Sequence, residues 1–280
     1  MTTVYDHAVA GNATAIEELL REGVDVNVLC VSDEEGEPCT ALHLAARHGH
    51  AQLAELLIKN GADINACTVS EWCAITETPL DWAARHGHTN VAELLCRHGV
   101  IETSALGSPL RMAARHGHSQ VAELLIRQGA DVNDGHEEDE GTALHVAARE
   151  GHVAIAELLI RHGANTNSCD RASASPLHNA ARMGHAVVAE LLLEHGARAD
   201  AEDEVDETPL GLAVYNSHPR TVELLIQKGA DANAWDKRLR TPLHLAVSKE
   251  SSDVAEILLK RGDAVDVSAV DERVDSIAHR

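Results

Sequence analysis

One feature restricts this chain more than any other: a run of the form Ala-Glu-Leu-Leu-Ile returns along nearly its whole length. It begins at Ile16, Ala54, Ala92, Ala122, Ala156, Ala189, Val222 and Ala255. A glycine closes each run: Gly23, Gly61, Gly99, Gly129, Gly163, Gly196, Gly229 and Gly262, at spacings of 38, 38, 30, 34, 33, 33 and 33 residues. Glycine just past a helix end takes the left-handed conformation that terminates it. Several copies continue with Ala/Val-Asp-x-Asn, as in Val24-Asp25-Val26-Asn27 and Ala62-Asp63-Ile64-Asn65, which favours a turn. Self-similar segments of this kind must stack, because each one buries its apolar face only against its neighbours.

A second element precedes most of these runs. Thr40-Ala41-Leu42-His43, Thr78-Pro79-Leu80-Asp81, Ser108-Pro109-Leu110-Arg111 and Thr142-Ala143-Leu144-His145 each open a helix. Ser175-Pro176-Leu177-His178, Thr208-Pro209-Leu210-Gly211 and Thr241-Pro242-Leu243-His244 do the same. The hydroxyl residue caps the helix, and proline fits its first position because the missing N–H has no partner there anyway. A pair of small residues follows, then Gly-His in most copies (Gly49-His50, Gly87-His88, Gly117-His118, Gly151-His152, Gly184-His185), which separates this helix from the next.

A unit of finger, helix, turn and helix in about 33 residues, entered by Thr-Pro-Leu-His-x-Ala, resembles the ankyrin repeat. The resemblance covers residues 1–266. It implies an all-α repeat solenoid of eight ankyrin repeats, each a helix-turn-helix with a β-hairpin or loop finger, in a single domain. The units run approximately 1–27, 28–65, 66–103, 104–133, 134–167, 168–200, 201–233 and 234–266. Val4-Tyr5-Asp6-His7-Ala8 replaces the entry motif in the first unit, which reads as an N-terminal capping repeat. Residues 267–280 leave the pattern and read as a tail or a short cap. In ankyrin repeats the motif histidine, here His43, His145, His178 and His244, is understood to brace the finger through backbone and Thr hydrogen bonds. Asp81, Arg111 and Gly211 replace it, so three units must brace their fingers differently.

Composition agrees. The chain of 280 residues has no Phe, three Trp and two Tyr, yet 44% of it is hydrophobic, so the core is made of Ala, Leu, Val and Ile. Trp82 falls on the core ladder with Leu42, Leu80 and Leu110. With 23 basic against 45 acidic residues the formal charge is −22. Such a surface repels phosphate, so neither nucleic acid nor a membrane is an expected partner. No apolar run nears the ~20 residues that span a bilayer. The chain reads as a cytoplasmic monomer, with delivery into a host cell left open, and its six cysteines suit a reducing compartment.

Nineteen histidines and a column of glutamates invite a catalytic reading. Most of the histidines recur at fixed repeat positions, which packing explains. The recurring Glu (Glu17, Glu55, Glu93 and their counterparts) sits in the first turn of each second helix, where it favours the helix dipole and pairs with residues such as Lys59 and Arg97 four positions on. No nucleophile is paired with a base, and no phosphate-binding glycine loop or His-Glu-x-x-His occurs. The chain is expected to be no enzyme and to need no cofactor.

Function is then expected where the repeats differ. The fingers carry Asp33, Glu34, Glu35 and Glu37; Asp134, Glu137, Glu138, Asp139 and Glu140; and Glu202, Asp203, Glu204, Asp206 and Glu207. The last finger reverses sign with Lys237, Arg238 and Arg240. Inner-helix ends are basic early (Arg47-His48, Arg85-His86, Arg115-His116) and change to Met183, Tyr215 and Lys249 later. Trp72, Tyr215 and Trp235 are aromatic anchors of the kind enriched in binding hot spots. The expected contact set is Trp72, Glu34, Glu35, Arg85, Arg115, Glu137, Glu138, Asp203, Glu204, Tyr215, Trp235 and Arg238.

The expectation is a non-enzymatic scaffold that binds a protein with a basic segment through its concave helix face and acidic fingers. The alternatives are a regulatory, immunity or host-targeting module acting on an enzyme, and a zinc protein. The last would use Cys30 and Cys39 in one finger with Cys67 and Cys73 in the next, although Cys-x8-Cys and Cys-x5-Cys are not the usual metal spacings.

Overall fold

The computed structural model describes residues 4–30, 38–68, 77–99, 103–135, 141–238 and 240–261. The chain divides into two compact units, residues 1–134 and 135–280, and each is described by itself.

The first unit contains α1 (Val4–Val9), α2 (Ala13–Arg21), β1 (Leu29–Cys30), β2 (Cys39–Thr40), α3 (Ala41–His48), α4 (Ala51–Lys59), α5 (Pro79–His86), α6 (Thr89–Gly99), α7 (Gly107–His116) and α8 (Ser119–Arg127). Consecutive helices pair, and the odd-numbered helices pack in succession as one layer while the even-numbered form a second. The second unit repeats this plan with α9 (Ala143–Glu150), α10 (Val153–Arg161), α11 (Pro176–Met183), α12 (Ala186–Glu194), α13 (Pro209–Tyr215), α14 (Pro219–Gln227), α15 (Pro242–Ser248) and α16 (Ser252–Arg261). Each unit is thus mostly helical, a succession of paired helices.

Helices of eight or nine residues do not persist alone. Burial and caps hold these. Ala45, Ala46, Ala83, Ala84, Ala113 and Ala114 are wholly buried, which brings successive inner helices close, and Leu42, Leu80 and Leu110 fill the ladder beside them. Trp82 takes a core place as well, its ring edge-on to His43 at 5.4 Å.

The buried histidine of the entry motif closes two gaps at once. At α3, the Thr40 N–H and hydroxyl both meet Nδ1 of His43, at 3.3 and 2.9 Å. Since Nδ1 accepts, Nε2 carries the proton and donates to the Glu77 carbonyl in the next finger, at 3.1 Å. His145 repeats this on Thr142 and the Ser168 and Ala174 carbonyls, and His178 on Ser175 and the Glu207 carbonyl. Where the histidine is replaced, the brace changes. Asp81 accepts from the Thr78 N–H and hydroxyl at 2.8 and 2.7 Å, so the cap survives on a carboxylate that has no proton for the next finger. Arg111 pairs with Asp134 at 3.3 Å, and Gly211 leaves only its own N–H on the Thr208 hydroxyl.

Histidines at the turn between paired helices, in the Gly-His turns of His50, His88, His118 and His185 and after Ser217 at His218, reach back one repeat. Nε2 of His50 donates to the Val9 carbonyl, His88 to Arg47 and His118 to Arg85, and in the second unit His185 to Arg149 and His218 to Arg182, all between 2.8 and 3.0 Å. This fixes the glycine it contacts. Gly49 has φ +73°, and a Cβ there would lie 2.5 Å from Nδ1 of His88. Asparagines of the turn motif do similar work: Asn27 donates to the Gly61 carbonyl and accepts from the Asp63 N–H.

Strand pairing in the described parts of the fingers is slight. In the first unit Leu29–Cys30 pairs with Cys39–Thr40 as a two-residue ladder, and the described fingers of the second unit are turns without strands. Residues 267–280, read as a tail or cap, lie outside the described residues.

Two predictions follow from the histidines. Burial holds His43, His145 and His178 below the ordinary histidine value, so folding strengthens the preference for their neutral form. Stability should be level above about pH 7 and fall as pH drops below the unfolded-state value of about 6.5. Urea midpoints between about pH 7.5 and 5, above the carboxylate range, check this. In addition, Gly49→Ala should cost roughly 2 kcal/mol or more, from the strained backbone plus the ring clash. In a His88→Ala background the clash is gone and the measured penalty should shrink to roughly 1 kcal/mol.

Candidate functional site

The second unit gathers several variable residues at one place. Its three fingers are closed by aspartates spaced 33 residues apart: Asp170, Asp203 and Asp236. Oδ1 of Asp203 accepts from the Val205 and Glu207 N–H groups at 3.0 and 2.9 Å, while the Asp203 N–H donates to the Glu207 carbonyl. Asp170 holds Ala172 and Ala174, and Asp236 holds Arg238 and Arg240, in the same way. Each closure turns four or five residues back on themselves and pushes the intervening side chains outward. The fourth residue of the turn is left-handed at Ser173 (φ 58°) and Asp206 (φ 55°).

Between the fingers 201–207 and 234–240 lies a cleft of about 410 Å³ lined by Val205, Glu207, Tyr215, Asp236, Lys237, Arg238 and Arg240. Tyr215, the last residue of α13, stands where earlier inner helices carry Arg. It is 43% exposed, and the Lys249 ammonium lies 3.7 Å from its ring centroid, a cation–π contact that steadies the ring. Arg240 is clamped to Asp236 at 2.7 Å. Burial, and then the neighbouring Asp203 carboxylate, raise Glu207 above the ordinary carboxylate value. Trp235 is 46% exposed, leans on the His244 ring at 6.3 Å, and borders an adjoining hollow with Glu207, Asp236 and Arg240.

The residues read from sequence separate accordingly. Tyr215, Trp235 and Arg238 come together around this cleft, and Glu204 is exposed on its neighbouring finger. Asp203 is 6% exposed and is spent on closing its own loop, so it is not a surface acid. Trp72, Glu34, Glu35, Glu137 and Glu138 lie outside the described residues. Arg85 and Arg115 are half-buried at the ends of α5 and α7, and Arg85 pairs with Glu77 from the finger beside it. His86 is pushed down to about 4, by burial and then by Arg47, Arg85, His88 and His116.

Cys30 and Cys39 do face one another in the β1–β2 register, but both are buried, and burial raises the Cys30 thiol above its ordinary value, against a thiolate ligand. Cys67 is exposed and Cys73 lies outside the described residues. Among the described residues no group of three or more His, Cys, Asp or Glu is arranged to hold a metal, and no helix is long and apolar enough to cross a membrane. Val205 was not noted in the sequence, and Lys237 and Lys249 were noted only as charges at variable positions, outside the expected contact set. The signal that reveals the first two is the 33-residue spacing of the closing aspartates, which fixes which residues sit at each finger tip.

Asp236→Ala removes the acceptor of two backbone N–H groups and the Arg240 clamp. It should destabilise the chain by about 1–3 kcal/mol. Amide exchange should show protection lost at Arg238 and Arg240, while Asp170→Ala should affect Ala172 and Ala174 instead.

Comparison with known families gives one match: the family model described as ankyrin repeats (3 copies) aligns with residues 4–106, 110–203 and 198–271. No curated protein matches the chain.

Proposed function

Since the chain belongs to the ankyrin-repeat family, whose repeats are generally protein–protein interaction modules, we propose that it is a non-enzymatic scaffold that holds a protein partner on its finger tips and inner-helix ends. The observation that carries this is the exposed pair Tyr215, at the end of α13, and Trp235, in the finger 234–240 that faces it across the cleft and its adjoining hollow. Large aromatic side chains left in solvent beside arginine are the usual anchors of protein interfaces. In this reading eight repeats span residues 1–266, the first is a cap, and the scaffold works as a cytoplasmic monomer.

The partner carries a basic segment that meets the acidic fingers, with Glu202 and Glu204 as its exposed contacts in the second unit. The acidic residues at 33–37 and 137–140 belong to the same reading and lie outside the described residues. A formal charge of −22 draws such a segment in before any contact forms.

Partner capture with the full chain, followed by titration of the purified pair, tests this. Tyr215→Ala and Trp235→Ala should each weaken binding by more than about 1 kcal/mol, roughly five-fold. The association rate should fall as salt is raised. Binding indifferent to both substitutions would remove this surface from the function, and a salt-insensitive association rate would remove the basic segment.

A further inference from the structure

We infer that the cleft between the fingers 201–207 and 234–240 receives a carboxylate of the partner, presented by an aspartate or glutamate next to an apolar residue. This rests on the reading of the chain as a protein-binding module and names the chemistry one part of that module selects.

The argument is a local reversal of charge. In a chain of formal charge −22, the cleft and its rim bring Lys237, Arg238, Arg240 and Lys249 together. The acids beside them are already committed. Asp236 binds two backbone N–H groups and the Arg240 guanidinium, and its side chain is 8% exposed. Glu207 is half-buried and already faces the Arg182 and Arg240 charges. Lys249 lies on the Tyr215 ring. Lys237 is exposed at the finger tip with no ion pair among the described residues. An incoming carboxylate therefore finds a cation that it need not take from another acid.

The rest of the lining says what accompanies that carboxylate. Val205 and the Tyr215 ring are each 43% exposed and form an apolar wall beside the cations. A cleft of about 410 Å³ fits one or two side chains of an extended segment rather than a folded surface. Nucleic acid would meet the same cations, but its backbone would also meet the acidic remainder of the chain. A segment with one acid and one apolar group escapes most of that repulsion. Together with the basic segment drawn to Glu202 and Glu204, it makes the partner bipolar and gives it one direction along the fingers.

The test is selection of peptides of about a dozen residues from a random displayed library on the full chain, with binders measured on wild type and on Lys237→Glu/Arg238→Glu. Both side chains are exposed and neither closes the loop, so thermal unfolding of the variant should match wild type and show that it is folded. The expected result is binders that pair Asp or Glu with an apolar residue, lose about ten-fold or more on the variant, and regain affinity there when their acid is changed to Lys. Binders without that pairing, or indifferent to the charge reversal, overturn the inference and leave the protein-binding reading standing. Failure to select any binder overturns it too, and the partner titrations on Tyr215 and Trp235 still decide the broader reading. Competition of the selected peptides by inorganic phosphate or a short oligonucleotide at equal concentration would show a general anion site and also overturn it.

Discussion

The fold depends on one buried, neutral ring shared between a helix start and the next finger. His178 shows how much hangs on it. Its Nδ1 caps α11 through Ser175, and its Nε2 holds the Glu207 carbonyl. The Glu207 carbonyl also accepts from the Asp203 N–H, the Glu207 N–H donates to the Asp203 carboxylate, and Glu207 lines the cleft. The wall of the candidate site is thus positioned by a chain of hydrogen bonds that starts at a helix cap. A protonated His178 cannot keep it, because Nδ1 would then face an N–H with a second N–H.

The finger 234–240 is held differently, and this is where the repeats stop being alike. Its preceding helix has Gly211 where a histidine would supply a donor, so no ring reaches forward to the Arg240 carbonyl. The finger is closed from within, by Asp236 on two N–H groups and by the Arg240 guanidinium on the second oxygen of Asp236. A loop anchored to itself is freer to adjust to a ligand than one anchored to the helix layer. It is also the finger that carries Lys237, Arg238 and Trp235. The loss of scaffold bracing and the gain of contact chemistry fall in one repeat, as expected if selection for binding has replaced selection for packing there.

Much of this was legible in the sequence, for physical reasons that differ by position. Gly49 announces both a helix end and a neighbour's approach, because only glycine satisfies φ +73° and leaves room for the His88 ring. Thr40 and His43 three residues apart announce a cap. Asp203 was misleading: counted with its neighbours it looked like surface charge, whereas its carboxylate is buried on two N–H groups. A carboxylate in a loop either faces water or closes the turn, and composition is the same in both cases. Only its period with Asp170 and Asp236 separates them. The cleft was half legible, since Tyr215, Trp235 and Arg238 stood out as departures from the repeat. The cation–π contact from Lys249 depends on α13 and α15 being neighbours, which no local pattern states.

Charge follows the same logic of repeat position. In the first unit the ends of inner helices present Arg47, Arg85 and Arg115 with His48, His86 and His116, and burial, followed by Arg47, Arg85, His88 and His116, holds His86 down to about 4. An added positive charge is already unfavourable there, and Glu77 from a finger answers Arg85. In the second unit Arg149 and Arg182 keep this place in α9 and α11, but in α13 it is Tyr215, with Lys249 from beyond α15 over its ring. The repeat position that carries Arg85, answered by Glu77, in α5 thus carries an aromatic platform in α13. A residue answered by its own fold has little left to offer a partner. In the proposed reading it is the exposed Tyr215 and Lys237, rather than the more numerous charges elsewhere, that carry the specific part of recognition.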